Sequence, residues 1–199
     1  MEWILASASP RRRQLLEQIG DAVWVRPAEV DETPRPGEPA PELVRRLARA
    51  KAEAVARALW SVTPPSGGAA PILAADTVVA LPDEILGKPA DAADAAAMLQ
   101  RLSGRMHEVW TGLCLLQLGA PPAEAAEMTR VWFAPLTPAE IAAYVATGEP
   151  LDKAGAYGIQ GPAARFIPRL EGSYSNVMGL PLHRLRELLR SSSGDGGMP

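Results

Sequence analysis

Apolar residues come in short runs at the start of the chain, then switch to a helical rhythm. Trp3 to Ala6 is one such run and reads as a buried strand. Ser9-Pro10 opens a helix, with Ser9 as its cap and Pro10 where no amide is needed. Gly20 ends that helix, and Ala22 to Arg26 reads as a second strand. Four prolines with Glu29, Asp31 and Glu32 make residues 27–40 a loop. A long helix follows from about Pro41 to Leu59, its apolar stripe drawn through Leu43, Leu47, Ala50, Ala54 and Ala58. Residues 63–68 read as a surface connection, and Ile72 to Leu81 as an apolar strand interrupted by Asp76 and Thr77. A helix over about Ala92–Leu102 stops at Ser103-Gly104. Met106 to Leu118 and Ala125 to Pro135 are strands expected to lie antiparallel. Thr137-Pro138-Ala139-Glu140 starts a helix to about Ala146 with a capping box. Residues 148–181 read as loop and short strand, Leu182 to Arg190 as a last helix, and 191–199 as a disordered tail. The alternation predicts a mixed α/β sheet in one domain over residues 1–190.

Composition narrows the function. With 199 residues, 47% hydrophobic and 22% charged, the chain has the make-up of a soluble globular protein. A net charge of −3 and sparse aromatics disfavour stable nucleic-acid binding. No apolar run is long enough to span a bilayer, and the N-terminus lacks a signal pattern. The lone Cys114 cannot form an internal disulfide, which points to a reducing cytoplasm, and its apolar neighbours mark it as core packing. Two histidines, His107 and His183, are too few for a histidine-rich zinc site, so any metal would be a hard cation on carboxylates and water. Three of the 20 basic residues are lysines (Lys51, Lys88 and Lys153), which singles out places where a compact ammonium is wanted.

Several segments carry candidate chemistry. Ser7 and Ser9 precede Arg11, Arg12 and Arg13 at a helix start, where the dipole favours anions; three arginines there call for an anion nearby. Asp76, inside a run otherwise suited to burial, must be paired, hydrogen-bonded or metal-bound unless it caps the strand's end. Lys51 lies at the edge of the long helix's stripe and either snorkels or points into a cleft. Gly87-Lys88-Pro89 holds a lysine in a tight turn. Three glycines between Gly155 and Gly161 imply close backbone approach or left-handed conformations, and Gln160 among them can read a base edge. The segment Ser173-Tyr174-Ser175-Asn176 with Gly179 repeats the theme. No Walker loop or dinucleotide fingerprint occurs.

Taken in order, Ser7-Ala-Ser9-Pro10-Arg11-Arg12, Ala75-Asp76-Thr77-Val78-Val79, Gly87-Lys88-Pro89, Leu102-Ser103-Gly104 with His107 and Thr111-Gly112, and Asp152 through Gly161 resemble the Maf family of nucleoside triphosphate pyrophosphatases. The resemblance covers nearly the whole chain and is closest to the dTTP/UTP branch. It implies an elongated mixed sheet flanked by helices, two lobes around a central cleft, and a homodimer. It implies hydrolysis of dTTP and UTP to the monophosphate and pyrophosphate with Mg²⁺ or Mn²⁺. Asp76 would be the general base and a metal carboxylate, with Glu32 as the second metal carboxylate. Lys51, Lys88, Ser7 and Arg12 would contact phosphates, and Arg11, Thr77 and Gln160 would set specificity. The alternatives are 7-methyl-GTP cleavage and a division-inhibiting protein that acts by binding a partner.

Overall fold

The structure is a computed structural model and describes residues 1–60 and 70–192. The expected connection at 63–68 and the tail beyond 192 lie outside the described residues. The chain runs β1 (Glu2–Leu5), α1 (Pro10–Gln18), β2 (Ala22–Val25), α2 (Ala40–Trp60), β3 (Ile72–Leu81), β4 (Glu84–Leu86), α3 (Ala92–Leu102), β5 (Met106–Leu116) and β6 (Ala123–Trp132). It continues through α4 (Pro138–Val145), three 3₁₀ turns between residues 149 and 166, β7 (Arg169–Glu171), the short α5 (Tyr174–Val177) and α6 (Leu182–Ser192). Among the described residues seven strands form one mixed sheet in the order β2-β1-β3-β5-β6-β7, with β4 on β3. β1 is parallel to both β2 and β3; β4 is antiparallel to β3, as β7 is to β6.

The chain divides into two compact units. The first comprises the described residues of Met1–Asp76, Thr111–Glu127 and Gly179–Pro199, the second Thr77–Trp110 and Met128–Met178. In the first, Ala48, Ala52, Val55 and Ala56 of α2 pack on Ala6, Ile72, Ala74, Cys114 and Leu116. Alanine at three of these helix positions lets α2 sit close to the strands. In the second, α3 and α4 bury Met98, Leu99, Leu102, Ile141 and Tyr144 with Val109, Val131, Phe133, Tyr157 and Phe166. The capping box read from Thr137 and Glu140 is present in both directions.

Three local expectations are corrected. Ser9 sits at the N-cap of α1, but its hydroxyl makes no capping bond. Its amide instead donates to Ser7 Oγ at 3.2 Å, which turns the loop back on itself before the helix starts. The buried face of α2 is not the Leu43–Ala58 stripe: Leu43, Leu47, Lys51 and Val55 line it, while Ala50 and Ala54 are half-exposed and Ala58 exposed. Alanine is too weakly apolar to fix a helix face by itself. The last helix also outruns Arg190, because the Ser191 hydroxyl closes its final turn on the Glu187 carbonyl at 3.1 Å.

His107 belongs to the second unit's core. It is 1% exposed, its Nε2 lies 2.8 Å from the Tyr157 hydroxyl, and its ring meets Phe133 and Tyr157 edge to face. Burial pushes its pKa down from 6.5 to about 4. Between those values the unfolded chain binds a proton that the folded chain refuses, so stability falls as pH drops from about 6.5 to about 4. The full loss is on the order of 3 kcal/mol. Urea unfolding at pH 7 and pH 5 should show this decline in the natural protein and a shallower one in His107→Gln; equal slopes would remove His107 as its source.

Candidate active site

Five residues singled out in the sequence come together in the first unit. Asp76 lies mid-way along β3 and is 6% exposed; the strand runs on for five residues, so it is no end cap. Its Oδ1 accepts from Lys51 Nζ at 2.5 Å, and the same ammonium lies 2.6 Å from Glu32 Oε1. A buried carboxylate is tolerable because it is paired, and the burial of Lys51, 8% exposed, is tolerable for the same reason. Of the two fates open to Lys51, the inward one holds.

Glu32 is placed by a clip. Arg46, also on α2, forks onto Glu38 at 2.6 and 2.7 Å and donates to the Thr33 carbonyl at 3.1 Å. The hydrogen-bonded guanidinium pulls the Glu38 carboxyl down to about 2. The proline-rich loop is thereby fastened to the helix that carries Lys51, about one and a half turns before it.

Ser7 follows β1 and is buried. Its Oγ accepts from Arg12 Nη1 at 2.9 Å, and Arg12 Nε donates to the Gly179 carbonyl at 2.8 Å. The guanidinium of α1 is therefore held as an oriented fork. Burial lowers its pKa, Arg11 adds to that, and Asp76 and Glu32 work against it, which marks both carboxylates as neighbours of this cation. Arg11, on the first turn of α1, is half-buried.

The carboxylate pair fits a hard divalent cation. Mg²⁺ characteristically takes one or two carboxylates and completes its shell with water and phosphate oxygens. Among the described residues no group of three or more His, Cys, Asp or Glu could hold an ion on protein ligands alone.

The remaining predicted residues lie in the second unit. Thr77 is half-buried on β3. Lys88 is exposed in the turn after β4, whose Gly87 carbonyl accepts from the Gly155 amide at 3.0 Å. Gln160 is exposed on the glycine-rich loop. The Gly179 anchor and the Arg46–Glu38 clip, contacts 167 and eight residues apart, carry no signal along the chain. Glu149 and Lys153, four apart, did carry a signal, and Lys153 Nζ reaches the Glu149 carbonyl at 2.6 Å. Cys114 is buried and its thiol is pushed up to about 12 by that burial, which leaves it inert packing.

A family model described as Maf-like protein matches residues 2–192. The chain belongs to the Maf family. That match runs through both units to the end of α6. It is 54% identical over 191 residues to a dTTP/UTP pyrophosphatase of Anaeromyxobacter sp. (strain Fw109-5), covering 94% of this chain and 87% of that one. A dTTP/UTP pyrophosphatase of Aromatoleum aromaticum is 50% identical, with 94% and 93% covered, and that of Pelotomaculum thermopropionicum is 49% identical, with 95% of each covered. Among solved structures a nucleoside-triphosphatase / dITP/XTP pyrophosphatase of Mycobacterium abscessus is 17% identical at a TM-score of 0.39, over 68% of this chain and 76% of that one.

Proposed function

We propose that this Maf protein hydrolyses dTTP and UTP to the nucleoside monophosphate and pyrophosphate. The observation that carries the reading is the Asp76–Lys51–Glu32 group beside the Ser7-held Arg12 fork, in a chain about half identical to dTTP/UTP pyrophosphatases. Water attacks the α-phosphorus, the bond from that phosphorus to the bridging oxygen breaks, and pyrophosphate leaves. Asp76 orients the water and takes its proton. Lys51, Lys88, Arg12 and Ser7 hold phosphate oxygens and offset the charge that develops on them. Arg11, Thr77 and Gln160 select the nucleotide, Gln160 through an amide that can both donate and accept. Asp76 and Glu32 would hold Mg²⁺ or Mn²⁺, which polarises the phosphoryl group when bound.

Two further parts of the proposal have separate support. A homodimer rests on the family resemblance. A cytoplasmic setting fits the single buried thiol of Cys114; no helix among the described residues is long and apolar enough to cross a membrane.

Pyrophosphate release from a panel of standard and modified triphosphates, with Mg²⁺ or Mn²⁺, tests the reading. dTTP and UTP should lead the panel. A preference for 7-methyl-GTP would transfer the same chemistry to another base, and no release from any triphosphate would leave the partner-binding alternative.

A further inference from the structure

The second unit contains a partly buried charged cluster to which no role in the reaction has been given. Lys153 is the one lysine of three not assigned to phosphate, yet its side chain is only 11% exposed. Its Nζ donates to the Glu149 carbonyl at 2.6 Å and to Asp152 Oδ1 at 2.7 Å, and lies 4.0 Å from Glu149 Oε1. Its backbone is engaged as well, its amide with the Pro150 carbonyl and its carbonyl with the Ala156 amide. An ammonium so enclosed is costly unless it organises its surroundings.

What surrounds it is the backbone that carries Gln160. A Cβ at Gly158 would come 2.7 Å from Lys153 Cε and 2.8 Å from Glu149 Oε1; one at Gly161 would collide with the Glu149 carboxylate. The chain thus lies on Glu149 and Lys153 two residues before Gln160, and on the Glu149 carboxylate one residue after it. The Gly158 amide also donates to the hydroxyl of Tyr144, a fully buried residue of α4. Gly155 and Ala156, at φ 66° and 59°, turn the chain off Lys153, and the Gly155 amide fastens the same loop to the turn that presents Lys88. The loop has only short 3₁₀ turns of its own, so its position comes from this platform.

We propose that Lys153 is a positioning residue for nucleotide choice: with Glu149 and Tyr144 it forms the platform that holds the Gly158–Gly161 backbone, and through it Gln160, in register with the base. This rests on the reading of Gln160 as the base-reading residue. Lys153 touches no substrate in this scheme; it acts through Gln160.

Lys153→Met keeps the stem beneath Gly158 and removes the ammonium. KM for dTTP and UTP should rise about tenfold with kcat changed less than about threefold, because misplacement of a contact remote from the reacting bond weakens positioning first. The preference for dTTP over dGTP should fall by a similar factor, and in a Gln160→Ala background the substitution should add almost nothing. Should Lys153→Met fail to fold, Tyr144→Phe removes the hydroxyl that meets the Gly158 amide, and about a threefold shift in the same direction is expected. If Gln160→Ala lowers the preference while the platform variants leave KM and preference untouched, the proposal is overturned and the base-reading assignment survives. If Gln160→Ala leaves the preference intact, that assignment fails and takes the proposal with it.

Discussion

Asp76→Asn should lower turnover of dTTP and UTP by about a thousandfold, within the range typical of removing a positioned general base. The amide has the carboxylate's shape, so packing within β3 is preserved. It cannot accept a proton from water, and it carries no charge for a divalent ion. Lys51 keeps Glu32 as its partner at 2.6 Å, so the ammonium is not left alone in a buried place, and the melting temperature should fall by only a few degrees. Arg12 and Ser7, proposed to contact phosphates, keep their hydrogen bonds, so the loss should fall more on kcat than on KM. Pyrophosphate release under saturating nucleotide, read beside a thermal melt, separates the two effects. Near-normal kcat in a folded variant would take the base role from Asp76.

Much of this site was legible because its residues break local rules. An aspartate inside an apolar strand and a lysine among the buried positions of a helix are conspicuous, and both proved to be each other's partners. The Thr137–Glu140 box was legible because capping involves only neighbours along the chain. What stayed hidden depends on contacts that no periodicity encodes. Gly179 contributes a carbonyl, which carries no side-chain signal, to an arginine near the other end of the chain. The face of α2 is ambiguous from sequence because alanines occur on several sides of it, which puts Lys51 at the edge of the alanine stripe although it lies in line with Leu47 and Val55. β4 has three residues, too few to show an alternation, and exists because it pairs with the end of β3.

Gly112→Ala should destabilise the first unit by roughly 3 kcal/mol or more, although it adds one methyl group to a β-strand. Gly112 lies on β5 directly beneath α2: a Cβ there would collide with the Val44 carbonyl and stand 2.7 Å from the Arg45 amide nitrogen. Its φ is not left-handed, so the demand is for space and not for conformation. Both neighbours are main-chain atoms of a helix, and no rotamer change can move them aside. Relief requires α2 to rise off the strand, which would loosen the alanine-lined packing of Ala48, Ala52 and Ala56 along its length. The same helix carries Lys51 and the Arg46 clip, so a shift at Val44 would also disturb the cation between Asp76 and Glu32. The melting temperature should drop by roughly 10 °C for a chain of this size. In Gly87→Ala, where the added Cβ meets open space, it should move by no more than about 2 °C. Phosphate-dependent protection of Gly112→Ala in the same melts should also be weaker than in the natural protein, since Lys51, proposed to hold phosphate, rides on the displaced helix. A variant that melts and responds to ligand like the natural protein would show that α2 has room to spare over β5.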